Sequence, residues 1–254
     1  EVQTWQGGGH LLMASFIKPH HPFDPPAPWS RMYDPGELGL LPGYTPEPLP
    51  QDLAFSRGYF PSDEMTEVRI RRAMAYYYAT ISQIDHHVGR LTSLLREKGL
   101  YDNTLILYNS DHGDYMGYHH LLLKGNHMYE PLIRVPLIVK YPGQLQAGSV
   151  SDALVNTIDC APTLLRQAGC DVPAVMPGLD LADAPQRPLV FAESGRGRSY
   201  MVRSPTHKLL FCQDDTHSQY FDLARDPHEL QNLYREPAHQ RDIADMKTAL
   251  ANWA

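Results

Sequence analysis

The chain has 254 residues, 43% of them hydrophobic and 20% charged, which are ordinary values for a globular protein with one large domain or a large and a small one. Its formal charge of −7 argues against a nucleic-acid partner, and no apolar run is long enough to cross a bilayer. The sequence therefore predicts a soluble protein. Three cysteines are too few for a disulfide framework, and the cytoplasmic, periplasmic and secreted locations all stay open.

The first part of the chain alternates strand and helix patterns. We predict a strand over 10–18 and a proline-rich loop over 19–63, of a length that is usually functional or disordered. Apolar residues at three-four spacing over 64–98 predict a long helix that ends at Lys98-Gly99. The apolar run that follows predicts a buried strand over 104–110.

The second part begins with a predicted strand over 134–141 and a helix over 157–169. A stretch rich in proline and aspartate, 171–188, is the best candidate linker. The remaining predicted elements are strands at 189–193, 199–203, 207–212 and Tyr220-Phe221, and a helix over roughly 237–253. The pattern predicts an α/β domain over 1–180 and a small α+β domain over 188–254.

A candidate site follows the strand at 104–110. Asp111 and His112 would lie at the carboxyl end of that strand, where open α/β sheets place their ligand sites. A carboxylate and an imidazole side by side can bind one divalent cation. Lys124 lies among leucines, where an unpaired ammonium is costly, and would pair with an anion bound at the cation. Gly113 would let the backbone turn sharply past the site.

Four ordered motifs resemble the sulfatase family of the alkaline phosphatase superfamily, whose motifs phosphonate monoester hydrolases share. The matching segments are Ala14–Phe23 with Pro19-His20-His21-Pro22, Ser110–Asp114 with Gly117, Lys124 and Glu130–Val139, Val155–Leu165, and Tyr220–Leu233. The resemblance implies an alkaline-phosphatase-like α/β sheet flanked by helices, incomplete at the N-terminus. It also implies a small C-terminal antiparallel sheet with one helix.

The same resemblance implies roles for individual residues. Asp111 and His112 bind a divalent metal, Lys124 contacts the sulfate or phosphoryl group, and His20 points at the same anion. Ca²⁺ is the expected cation. Mn²⁺ is an alternative because His112 supplies nitrogen where many relatives carry asparagine, and Mg²⁺ is a further alternative. His120 lies between the metal pair and Lys124 and would either face substrate or pack in the loop.

The family's nucleophile motif is not found in this sequence. Sulfatases carry Cys-x-Pro-Ser-Arg, whose cysteine is oxidised to formylglycine, or a Ser/Thr variant, and paired acids upstream complete the metal site. None of Cys160, Cys170 and Cys212 is followed by x-Pro-Ser-Arg. We therefore expect a C-terminal portion of the catalytic domain that is inactive alone. Unpaired strand edges would favour self-association or association with a missing N-terminal segment that carries the formylglycine.

The sequence thus predicts a metal-dependent hydrolase of small-molecule or saccharide sulfate esters. Two alternatives stay open. The first is a phosphonate or phosphate ester hydrolase of the same superfamily, since the nucleophile motif that would separate the two activities is not found. The second is a remnant that binds metal or anions without catalysis.

Overall fold

The computed structural model describes residues 2–5, 9–53, 64–183, 186–195, 199–213 and 215–253. Within them the chain forms two compact units. One unit comprises Glu1–Leu41, Asp63–Tyr108 and Leu137–Ser149, and the other comprises Pro42–Ser62, Asn109–Pro136 and Val150–Ala254. The predicted division into 1–180 and 188–254 stays a prediction.

The long helix of the first unit is confirmed. Helix α1 spans Glu67–Glu97, and the Thr66 side chain caps its start by accepting a hydrogen bond from the backbone N–H of Arg69. Gly99 follows its end at a φ of +67°, the left-handed conformation that glycine adopts without strain. The buried face consists of Ile70, Met74, Ala75, Ala79, Thr80, Ile84 and Leu95. This stripe at three-four spacing is the pattern that predicted the helix.

Two predicted strands form a two-stranded sheet. Strand β1 spans Ile106–Asn109 and pairs with β2, Leu137–Lys140. The ammonium of Lys140 donates to the carbonyls of Asp102 and Thr104 at 3.1 and 3.0 Å. It therefore ties the end of β2 to the turn that precedes β1.

The predicted strand over 10–18 is wrong, because the structure has irregular backbone there. Leu11, Met13 and Ile17 are more than four-fifths exposed. A strand needs a neighbour to pair its N–H and C=O groups, and no strand in the described part of the chain pairs with this segment. The β-forming residues alone do not make a ladder.

The second unit contains two further helices before its sheet. The short helix α2 spans Glu130–Ile133, with Pro131 in its first turn, and was not predicted. The predicted helix over 157–169 is confirmed as a 3₁₀ turn, Thr157–Asp159, that continues into α3, Cys160–Gln167.

A four-stranded antiparallel sheet and the final helix complete the second unit. Strands β3, Val190–Ser194, β4, Ser199–Arg203, β5, His207–Cys212, and β6, Gln219–Asp222, lie in sequential order. Val202 pairs with Leu209 and Leu209 with Tyr220, so three fully buried side chains form one row across the sheet. Helix α4, Gln240–Trp253, covers this row with Ile243, Met246 and Leu250. The predicted C-terminal sheet with one helix is confirmed.

Candidate active site

Asp111 lies in the loop that follows β1, and its side chain is 84% exposed. Its Oδ1 accepts a hydrogen bond from the backbone N–H of His112 at 2.9 Å. Partial burial opposes ionisation, but this hydrogen bond and the imidazole of His112 lower the pKa of Asp111 below its ordinary value. Asp111 therefore presents an ionised carboxylate to solvent, as a metal ligand must.

His112 offers one ring nitrogen as an acceptor. Its Nδ1 lies 2.8 Å from the carbonyl oxygen of Gly113, and because a carbonyl only accepts, Nδ1 must carry the proton. The ammonium of Lys124 lies 3.1 Å from Nε2 and can only donate, so Nε2 holds a lone pair. Nε2 also lies 3.7 Å from Oδ2 of Asp111. The structure therefore brings Asp111, His112 and Lys124 together.

The loop that carries Lys124 is closed by its own hydrogen bonds. The backbone N–H of Tyr115 donates to the carbonyl of Leu123 at 2.9 Å, and that of Gly117 to the carbonyl of Leu121 at 2.8 Å. The buried Tyr115 hydroxyl donates to the carbonyl of His127 at 2.6 Å. These bonds hold the backbone on both sides of Lys124.

A close approach of the backbone of α2 requires glycine at position 113, in addition to the predicted turn. A Cβ at this position would lie 1.9 Å from the carbonyl oxygen of Pro131, and the Gly113 N–H donates to the carbonyl of Leu132 at 2.7 Å. Glycine is therefore needed because the backbone of α2 approaches closely. This contact connects the loop that carries Asp111 and His112 to α2.

Asp114 is a half-buried acid in the loop that follows β1. Its Oδ1 accepts a hydrogen bond from the backbone N–H of Met116 at 3.0 Å. Burial raises the pKa of Asp114 from 3.8 to about 7, although hydrogen bonds from the backbone of Met116 and Leu123 and the charge of Lys124 act in the opposite direction.

The two histidines of this loop are buried. His120 is 4% exposed, and its Nδ1 donates to the carbonyl of Thr45 at 3.1 Å. His119 is fully buried, donates from Nε2 to the carbonyl of His228 at 2.8 Å, and places Nδ1 3.3 Å from Oδ2 of Asp52. Contact between His120 and substrate stays a prediction.

His20 belongs to the first unit. Its Nδ1 donates to the carbonyl of His21 at 2.7 Å, and the two imidazole rings stack with centroids 4.0 Å apart. A role for His20 at an anion stays a prediction.

Sequence reasoning missed the structural roles of two buried motif acids. Asp159 is fully buried and binds the guanidinium of Arg187 with both oxygens, while the backbone N–H of Leu179 donates to it at 2.8 Å. Glu229 is fully buried and lies 2.5 Å from the ammonium of Lys208. Their only sequence signal was membership of the motifs, which did not specify partners.

The donor set of Asp111 and His112 fits two ligands of a divalent cation, one hard oxygen and one borderline nitrogen. Across the described ranges, no cluster of three or more His, Cys, Asp or Glu side chains could hold a metal. Asp111 and His112 therefore fit two of the ligands of a cation site, and further ligands would be needed to complete it. None of the helices in these ranges combines the length and apolar character that a bilayer crossing requires.

Comparison with known proteins places this chain in a family. The family model for Sulfatase matches residues 3–170. The chain is 33% identical to an arylsulfatase of Clostridium perfringens over 94% of this chain and 52% of the relative. It is 32% identical to an N-acetylglucosamine-6-O-sulfatase of Bacteroides thetaiotaomicron over 77% of this chain and 38% of the relative.

The fold agrees with a solved structure as well. A phosphonate monoester hydrolase from Silicibacter pomeroyi superposes with a TM-score of 0.82 at 27% identity, over 93% of this chain and 54% of that one. The chain therefore belongs to the sulfatase family of the alkaline phosphatase superfamily, and its fold is the alkaline-phosphatase-like α/β fold. It spans about half or less of the length of these relatives.

Proposed function

We propose that this chain is part of a metal-dependent hydrolase of sulfate esters. The observation that carries the proposal is the grouping of an ionised carboxylate, an unprotonated imidazole nitrogen and an ammonium at the end of β1. The first two suit a divalent cation, and the third suits an anionic group beside it. Sulfatase relatives at 32–33% identity support the same reaction class.

Asp111 and His112 would hold the cation. The family resemblance favours Ca²⁺. Mn²⁺ is an alternative because one donor is nitrogen, and Mg²⁺ is a further alternative. When bound, the cation would supply a Lewis acid that polarises and orients a sulfate oxygen. The hydrogen bond from Nδ1 to the Gly113 carbonyl keeps the His112 ring in the tautomer that ligation needs.

Lys124 and His20 would act on the anion. Lys124 carries a compact positive charge that stabilises negative charge on the sulfate oxygens as the leaving oxygen departs. The motif Pro19-His20-His21-Pro22 supports the same role for His20. We propose His120 as a weaker candidate for substrate binding, since its side chain is buried and its Nδ1 donates to the carbonyl of Thr45.

The substrate would be a small-molecule or saccharide sulfate ester. The relative named as an N-acetylglucosamine-6-O-sulfatase supports a sulfated sugar. A phosphonate or phosphate ester is the second candidate, because the phosphonate monoester hydrolase covers 93% of this chain with a TM-score of 0.82.

We further propose that the 254-residue polypeptide needs a nucleophile from outside its sequence. None of its three cysteines lies in a Cys-x-Pro-Ser-Arg motif, and loss of a nucleophile costs more rate than loss of an anion contact. The polypeptide alone should leave aryl sulfates intact and should associate with itself or with the segment that supplies the nucleophile.

The experiment is a turnover comparison with the natural gene product. It should hydrolyse p-nitrophenyl sulfate with a higher kcat/KM than p-nitrophenyl phosphate or a phenylphosphonate monoester, and a chelator should abolish the activity. A preference for the phosphonate would support the second candidate, and a metal-replete protein without any turnover would support a non-catalytic remnant. The requirement for an outside nucleophile is tested on residues 1–254 expressed alone, by their aryl sulfatase activity and by their molar mass from light scattering. A monodisperse, active monomer would refute it.

A further inference from the structure

We propose that Glu229 is a positioning residue that holds Lys124 at its distance from His112, an inference that rests on the proposed function. Glu229 is fully buried, and its carboxylate contacts both ends of the segment that carries Lys124. It lies more than one hundred residues along the chain from Lys124 and belongs to the C-terminal motif Tyr220–Leu233.

One oxygen of Glu229 holds both ends of the Lys124 segment. The hydroxyl of Tyr118, before Lys124, donates to Oε2 at 3.1 Å. The backbone N–H of Glu130, after Lys124, donates to the same Oε2 at 2.8 Å. A single buried atom therefore joins the Tyr118 side chain to the backbone N–H of Glu130.

The other oxygen anchors Glu229 itself. The ammonium of Lys208 on β5 is fully buried and lies 2.5 Å from Oε1 of Glu229 and 2.9 Å from Oε1 of Glu130. Arg203 on β4 donates to Glu130 at 3.0 Å. Burial opposes ionisation of Glu130, but these cations lower the pKa of Glu130 to about 2. The C-terminal sheet thus provides a rigid charged support for the start of α2.

Helix α2 also contacts the loop that carries Asp111 and His112. Helix α2 begins at Glu130, and two residues later the carbonyl of Leu132 accepts the hydrogen bond from the N–H of Gly113. Gly113 is the residue whose carbonyl fixes the tautomer of His112. Glu229 therefore holds the Lys124 segment against the same short helix that holds the His112 loop.

Glutamine cannot replace this carboxylate. Its amide oxygen could accept the hydrogen bonds from Tyr118 and Glu130, but its NH₂ group would then face the Lys208 ammonium, and two donors repel. Glu229→Gln should therefore displace the Lys124 segment with little change in side-chain volume. Misplacement of about 1 Å at a charge-stabilising group can cost about 10²-fold in rate.

The test is a double-mutant cycle in the natural gene product. We expect Glu229→Gln to lower kcat for p-nitrophenyl sulfate about 10²-fold. In a Lys124→Ala background, the loss of kcat caused by Glu229→Gln should be at least about fivefold smaller. Tyr118→Phe removes only the hydrogen bond to Oε2 and should show the same coupling with a smaller loss, which keeps the test valid if Glu229→Gln fails to fold. Asp222→Asn is the control from the same C-terminal motif, because its carboxylate accepts hydrogen bonds from the nearby N–H groups of Ala224 and Arg225 and lies 3.7 Å from Nε of Arg225. It should lower kcat equally in both backgrounds or not at all.

A second readout does not depend on turnover. In chelator-treated protein labelled with ¹⁵N-histidine, where Nε2 of His112 is free to accept from Lys124, the Nε2 resonance of His112 is assigned by its loss in His112→Ala. It should move in Lys124→Ala and in Glu229→Gln but not in Asp222→Asn. Equal losses from Glu229→Gln with and without Lys124, or an unmoved Nε2 resonance, would overturn the inference. If Lys124→Ala leaves hydrolysis unchanged, the proposed function of Lys124 fails, and the resonance still decides whether Glu229 positions it.

Discussion

Replacing Asp114 by asparagine removes a half-buried carboxyl group whose ionisation the folded chain resists. Because burial raises its pKa from 3.8 to about 7, the folded state holds more protons than the unfolded state between these values. Stability contributed by this group is therefore fully present below pH 3.8 and is lost as the pH rises towards 7. The full loss is about 4 kcal/mol, and the part that falls between pH 5 and pH 8 is roughly 2–3 kcal/mol.

Asparagine has no such titration. It also loses one acceptor, because the backbone N–H groups of Met116 and Leu123 both donate to the carboxylate, but that cost is the same at every pH. The assay is urea unfolding of the wild type and Asp114→Asn at pH 5 and pH 8, with chelator present. The difference in unfolding free energy should move in favour of the variant by roughly 2–3 kcal/mol at pH 8. If the unfolding free energies of the wild type and Asp114→Asn differ by the same amount at pH 5 and pH 8, the burial argument is refuted.

Three further predictions concern other parts of the molecule. Arg187→Met leaves the fully buried Asp159 without its guanidinium and should cost about 3–5 kcal/mol of unfolding free energy, measured by urea unfolding; a loss below about 1 kcal/mol would mean that the pair is not needed. Gly113→Ala should cost about 1–3 kcal/mol, because its Cβ would meet the Pro131 carbonyl, whereas Gly39→Ala, with open space around its Cβ, should stay within about 0.5 kcal/mol of wild type. Lys124→Ala and His20→Ala should each lower kcat about 10²–10³-fold with normal metal content; an impaired His21→Ala beside an unchanged His20→Ala would show that the wrong histidine was assigned.

Elements with strong local patterns were predictable from the sequence. Helix α1 repeats its apolar stripe over eight turns, and the strands of the C-terminal sheet are bounded by turn residues. When these short strands pair with their neighbours, Val202, Leu209 and Tyr220 form one row across the sheet. Asp111 and His112 are adjacent in the sequence, and the structure brings Oδ2 of Asp111 to 3.7 Å from Nε2 of His112.

Contacts between distant residues were not predictable. Glu229 meets Tyr118 across 111 positions and the backbone of Glu130 across 99, and no sequence period reports such contacts. The strand predicted over 10–18 failed for the same reason, because a ladder depends on a partner elsewhere. Burial of His120 was also hidden, since its partner is the backbone of Thr45.

The most direct test of the metal-dependent hydrolase is metal content measured together with turnover. Elemental analysis of the natural gene product should find a stoichiometric divalent cation, and p-nitrophenyl sulfate should be hydrolysed. Asp111→Ala and His112→Ala should each lose both the tightly bound cation and the activity while the thermal unfolding of the chelated protein stays close to wild type. Stoichiometric metal in either variant would contradict the assignment of Asp111 and His112 as its ligands.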